Sequence, residues 1–426
     1  TAALAVSVRY FKAEPVLLFS EEDFQQRQEM RSSDDNVFKV LADAAGKLPP
    51  TPSGIIKVGR PDSPDIKIPF EAEPGSLAGR LKIQRPDDHP DFINYLAACA
   101  PAVEEAYSAL DKPYYLSPLA SGVMPSPTES FSNLFTVLTI SALADYSTTK
   151  DIPAFVDKVE RIIKLKRMMA SQEEPIFQGP NSLYDDVRML IRKGISLECA
   201  KSLREKLLEL GPPFQDKQAL ANTIFKLYDN SQLGPIPEEY QHFPQSLGAR
   251  LFLMEIRKTA TYIRDHRDEL IAFAAMTPAQ QQSEFARNGD FPPGPPPPPP
   301  SEDTTRVHRP RPDFERHHHG PRGFLDPYRR IERVCKYAAD RQTDYYITII
   351  ALAIEEYHAA HNAYPNALSD LVPDPLASIP KDPITGGDFF YALDGAFYKI
   401  YSAGEDGKDD GGDKRQDDIL ISQNHP

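Results

Sequence analysis

The chain reads as α+β and mainly α: an irregular helical body followed by a long C-terminal helix packed on a small antiparallel sheet. Three observations predict this. Apolar residues recur at helical spacing through most of residues 90–290. Gly-Pro and Pro-Pro punctuation divides those stretches. Near the end, two alternating runs flank Asp394-Gly395, the strongest short-range hairpin signal, because both residues tolerate positive φ.

The 426 residues suffice for two or three domains and a sizeable core. The formal net charge is −14 and charged residues make up 26%. An acidic surface argues against nucleic acid as a partner, since phosphate contacts need clustered Lys and Arg. It suits divalent cations. Cys99, Cys199 and Cys335 form no Cys-x-x-Cys pair and read as buried small hydrophobes.

In order along the chain, residues 1–30 read as an extended lead-in with Pro15 and the apolar patch Val16 to Phe19. Thr1 to Val8 is apolar but far short of the roughly twenty residues that span a bilayer. It is expected to be the remnant of a signal or anchor segment. The expectation is therefore an exported protein, periplasmic or envelope-associated, with membrane attachment through a segment before or at residue 1.

Residues 31–290 form the expected helical body. Ser33 to Leu48 is helical, with Val37, Phe38, Leu41 and Ala45 on one face, and Pro49-Pro50 ends it. β-like pieces follow at 55–58 and 66–68. Helices are then expected at Phe92–Leu110, Phe131–Tyr146, Ile152–Met169, Leu183–Lys193, Leu197–Leu210, Gln218–Tyr228 and Leu247–Ala275. Residues 291–325 are the expected linker. The proline run 295–300 favours stiff polyproline II, and the basic stretch with His317, His318 and His319 reads as a solvated spacer or a docking strip for an acidic surface.

Residues 326–426 form the expected terminal module. Tyr328 to His361 is one long amphipathic helix, stopped by Asn362 and Pro365. A short helix, Leu368–Val372, and the extended Ile379 to Pro383 follow. Strands are expected at Asp388–Leu393, Ala396–Ser402 and Asp418–Ile421, with an acidic glycine loop between the last two.

The succession of Tyr357, Asn362-Ala363-Tyr364-Pro365, Pro380-Lys381-Asp382-Pro383, Tyr391, Tyr398, Tyr401-Ser402-Ala403-Gly404, Asp406-Gly407, Gly411-Gly412 and Asp418-Ile419 resembles the globular part of the major pseudopilin of type II secretion. It covers about residues 328–422. The whole arrangement also resembles uncharacterised envelope proteins of planctomycete-type bacteria. The pseudopilin resemblance implies calcium, with Asp406, Asp413 and Asp418 as carboxylate ligands and the carbonyls of Ala403 and Gln416 as additions. Hard Ca²⁺ takes six to eight oxygens, which an Asp- and Gly-rich loop can supply. One departure stands out. A pseudopilin begins with its apolar helix, whereas here the matching helix is internal and charged, so polymerisation through it is not expected.

Catalytic motifs are scarce. Glu355-x-x-His358 and Glu239-x-x-His242 each resemble half of a di-metal motif, but the second sits in a proline-flanked turn. His89, His242 and His266 read as surface or capping residues. The functional expectation is a non-catalytic structural or interaction protein with a calcium-stabilised docking module, its partner another protein or itself. The alternative is an enzyme or ligand-binding protein with its site among the helices of 90–290.

Overall fold

A computed structural model describes residues 15–50, 90–116, 127–171, 184, 187, 191, 196–233, 247–288, 326–394, 397–409, 411–412 and 419–423. The expected strands at 55–58 and 66–68, most of the helix at 183–193 and the whole linker at 291–325 lie outside them. The fold is α+β and mainly α, as the periodicity predicts.

The helices are α1 (Glu21–Ser32), α2 (Val37–Gly46), α3 (Pro90–Ser108), α4 (Pro127–Thr149), α5 (Ile152–Ser171), α6 (Leu197–Leu210), α7 (Lys217–Leu233), α8 (Leu247–Asp265), α9 (Arg267–Ala275), α10 (Pro278–Asn288) and α11 (Pro327–His361). Strands β1 (Phe390–Asp394), β2 (Phe397–Ser402) and β3 (Ile419–Gln423) form one antiparallel sheet in the order β1-β2-β3.

Several boundaries differ from expectation. Among the described residues the lead-in is non-helical from Pro15 to Ser20, and α1 begins at Glu21. Glu21, Glu22 and Asp23 place carboxylates in its first turn, where they oppose the helix dipole. The expected helix Leu247–Ala275 is two helices, interrupted at His266, whose φ of −121° is not helical. The His266 ring stacks on Tyr262 with centroids 4.1 Å apart, and Nδ1 lies 3.0 Å from the Tyr262 carbonyl. Helix α10 was not expected. Its signal is a capping box: Thr277 Oγ1 accepts from Gln280 N at 3.3 Å while Gln280 Oε1 accepts from Thr277 N at 2.9 Å. In the hairpin, Asp394 belongs to β1 and pairs with Phe397, one residue beyond the expected end of that strand.

The chain divides into two compact units that do not follow the expected segments. One comprises residues 1–21 and 216–336, the other 22–215 and 337–426. Helix α11 contributes its first ten residues to the former and the rest to the latter.

In the first unit, α7 packs against α8 and α9. Tyr228 on α7 is wholly buried, and loss of water drives its phenol far above the ordinary range. Phe273 meets Phe285 and Tyr328 edge-on at 5.5 and 5.2 Å. Gln281 is buried and donates through Nε2 to the Phe273 carbonyl at 2.8 Å.

In the second unit, helices α2, α4, α5 and α6 share one core with the C-terminal part of α11 and with Tyr398 and Ile400 of β2. The terminal module is therefore not a free-standing domain here. The reason lies in α11 itself. Tyr345, Ile347, Ile349, Ile350, Ala351, Leu352, Ala353 and Ile354 are all buried, so this stretch is apolar around its whole circumference. Such a helix must be covered on more than one side. Burying each of those Ile or Leu side chains contributes about 1.5–3 kcal/mol.

Several polar groups of this core bond across elements. Asn36 caps α2 by accepting from Phe38 N at 3.1 Å. It also accepts from Leu116 N at 2.9 Å and donates to the carbonyls of Leu116 and Arg31 at 2.8 and 3.0 Å. The carbonyl end of α6 is closed by donors from other helices. Tyr345 Oη donates to Leu207 O at 2.9 Å, Arg167 Nη1 to Leu210 O at 2.9 Å and Gln342 Nε2 to Pro213 O at 2.7 Å. A cationic guanidinium at that position also complements the helix dipole.

Candidate functional site

The C-terminal module carries the predicted site, and its polar centre is Asp382. This residue belongs to the extended Pro380-Lys381-Asp382-Pro383 segment and is 1% exposed. A carboxylate so buried needs several donors, and four reach it. Oδ1 accepts from Ile384 N at 3.0 Å and from Thr343 Oγ1 on α11 at 3.5 Å. Oδ2 accepts from Thr385 Oγ1 at 2.7 Å and from Ser402 Oγ, at the end of β2, at 2.8 Å. Ser402 Oγ then accepts from Gly404 N at 3.1 Å. One side chain thus ties the long helix, the crossing segment and the start of the acidic loop together. Sequence reasoning quoted Asp382 only as part of a resemblance. Its signal was an Asp flanked at short range by Pro380 and Pro383, which restrict the backbone, and followed by the Thr385-Gly386-Gly387 turn.

Beyond Ser402 the chain folds back on itself. Gly404, Gly407, Gly411 and Gly412 all have positive φ, near 70–79° for 404, 411 and 412 and 68° for 407. That conformation is costly for other residues. Ala403 is buried and Asp406 is exposed. Asp406 Oδ1 accepts from Lys408 N at 3.0 Å, and Oδ2 pairs with Lys408 Nζ at 3.0 Å. The Lys408 amide first, and then its ammonium, hold the Asp406 carboxyl below the usual carboxylate range. Asp409 is committed elsewhere: its Oδ1 accepts from Tyr401 Oη at 2.7 Å and from Gly411 N at 3.0 Å.

Of the predicted ligand set, Ala403 and Asp406 are described. Asp413, Gln416 and Asp418 lie outside the described residues, so no distance joins them. Among the described residues, no three His, Cys, Asp or Glu side chains gather at metal-binding range. Asp406 fits a hard cation as an oxygen donor, and the Lys408 ammonium already sits against it. A divalent ion at Asp406 would replace that ammonium.

The Glu355-x-x-His358 pair lies on α11, facing aromatic rings. Tyr398 Oη donates to Glu355 Oε1 at 3.4 Å, and the His358 ring stacks on Tyr364 with centroids 4.3 Å apart. Tyr364 meets Tyr398 edge-on at 5.2 Å. Glu239 and His242 lie outside the described residues. Burial, reinforced by the Glu355 charge, raises the phenols of Tyr364, to about 12, and of Tyr398 well beyond the ordinary value. The arrangement is that of a packed aromatic core.

The three cysteines are buried thiols without disulfides. Burial pushes Cys199 up to about 11, away from thiolate chemistry. Among the described residues, no helix is long and apolar enough to cross a membrane. Compared with known proteins, the chain matches no protein-family model, no curated protein and no solved structure.

Proposed function

We propose that this chain is a non-catalytic interaction protein of the cell envelope. In this reading its C-terminal helix-and-sheet module is a pseudopilin-like docking element whose acidic loop takes calcium. The single observation that carries the reading is the order of parts around Asp382. A long helix, a crossing segment and the end of β2, from which the glycine-turned acidic loop departs, meet at one buried carboxylate. That order is what the resemblance requires of the module. Asp406 is the ligand best supported, being a solvent-facing carboxylate in the described part of the loop. Asp413, Asp418 and the carbonyls of Ala403 and Gln416 complete the proposed set.

The reading is tested by recovering the protein from fractionated native cells, with calcium present or chelated. Recovery in the envelope fraction with a co-purifying protein, released by chelation, is the expected result. Recovery among free proteins of the cell interior, indifferent to calcium, overturns it.

A further inference from the structure

Lys408 meets Asp406 through two donors, and the contact bears on how the acidic loop takes an ion. The Lys408 amide donates to Oδ1 and its ammonium to Oδ2, each at 3.0 Å. Both oxygens of the aspartate are thus engaged by one residue two places on. Gly407, between them, has a φ of 68°, a conformation that glycine adopts at no steric cost. The Lys408 side chain is 75% exposed and that of Asp406 40%, so the ion pair is weak and open to exchange. The next part of the loop is held separately. Asp409 Oδ1 accepts from Tyr401 Oη at 2.7 Å and from Gly411 N at 3.0 Å.

The two bonds from Lys408 differ in kind. The amide belongs to the main chain and survives any change of side chain. The ammonium is a compact cation on a flexible stem, and it uses the oxygen that an incoming cation needs. In an EF-hand loop the residue two places after the first aspartate is itself a calcium ligand. Here that place holds a positive charge. A divalent ion at Asp406 has to displace the ammonium from Oδ2 and then bear its repulsion at close range. Both effects weaken binding, while the bonds of Asp409 and of the Lys408 amide keep the described loop turned.

We infer that Lys408 is a tethered counter-ion, a built-in competitor that sets how much calcium the loop requires. This role rests on the calcium reading and adds the regulation of that site. A site weakened in this way fills at the calcium levels used by extracellular modules, on the order of 10⁻⁴–10⁻³ M. The test is calorimetric titration of the full chain with calcium chloride, beside Lys408→Met and Lys408→Arg. Methionine keeps the amide and most of the stem but removes the charge; arginine keeps the charge. Because the side chain is exposed, all three chains are expected to unfold at nearly the same temperature without calcium. Lys408→Met is expected to lower the Kd by roughly three- to tenfold, and Lys408→Arg to leave it near the original. If the original chain binds calcium and Lys408→Met binds it no more tightly, the competitor role is overturned and the calcium reading stands. An equal gain in Lys408→Arg also overturns the role, since charge is then not the cause. Binding by Lys408→Met alone supports the competitor and overturns calcium as the ligand of the original chain. No binding by any of the three overturns both.

Discussion

Arg204 on α6 and Glu356 on α11, 152 residues apart in sequence, form a buried two-point ion pair. Nε meets Oε1 at 2.5 Å and Nη2 meets Oε2 at 3.0 Å. Their side chains are 8% and 9% exposed. The planar fork of Arg matches a carboxylate in this way, and Lys cannot reproduce it. The carboxylate of Glu356, ahead of desolvation, holds the guanidinium more firmly protonated than usual.

This pair predicts an asymmetric mutational response. Glu356→Ala or Arg204→Ala alone leaves a buried charge without its partner and is expected to cost about 3–5 kcal/mol. Replacing both at once, as R204M with E356L, is expected to restore most of that loss, because an apolar pair of similar volume escapes desolvation. Denaturant unfolding of the single and double variants measures the coupling. Additive losses would contradict the arrangement.

Asp382 predicts a second ordering. Asp382→Ala removes the acceptor of four donors and is expected to cost more than Ser402→Ala, which deletes one bond to the charged acceptor, worth about 1.5–3 kcal/mol, and the acceptor of Gly404 N. Asp382→Asn retains the shape but turns half of the acceptor into a donor facing donors. It is expected to fall nearer to the alanine variant than to the original chain. Thermal unfolding of the three variants gives the order directly.

The buried tyrosines predict the response to alkali. Burial raises the phenols of Tyr364, Tyr391 and Tyr398 above the ordinary value of 10.0. The unfolded chain then loses protons that the folded chain keeps, so stability falls as pH rises. The stabilisation is fully present below pH 10 and declines through the folded value of about 12 for Tyr364. Phenolate absorbance in an alkaline titration is expected to rise late and together with unfolding. Ionisation of these rings near pH 10 in a still-folded protein would be inconsistent with their burial.

Much of the fold was legible in residue pattern, and the exceptions have physical causes. The C-terminal end of α11 was clear because Asn362, at a φ of 55°, and Pro365 do not continue a helix. The strands were placed to within one or two residues. Strand β1 runs one residue further than expected, since Asp-Gly only permits a tight turn and the cross-strand pairing sets the register. The break at His266 was hidden, because neither Gly nor Pro marks it. The sharing of one core between α11 and the helices of residues 37–207 was also hidden: an apolar circumference announces burial but not which segments cover it. The buried acidic residues that organise the structure, Asp382, Glu356 and Asp229, look in sequence like ordinary surface charges. Their donors come from residues up to 211 positions away, as Leu18 does to Asp229, and no local pattern signals such a pairing. Asp406 was legible because the surrounding glycines announce a turn.

Calcium titration followed by thermal unfolding tests the central claim most directly. An ion that binds only the folded chain stabilises it by about 2.7 kcal/mol at a free concentration 100-fold above its Kd. The account predicts that calcium raises the unfolding midpoint, that chelation reverses the rise, and that Asp406→Ala abolishes it while leaving the calcium-free midpoint nearly unchanged, since Asp406 is exposed. A midpoint indifferent to calcium, or an Asp406→Ala chain that responds as fully as the original, would contradict it.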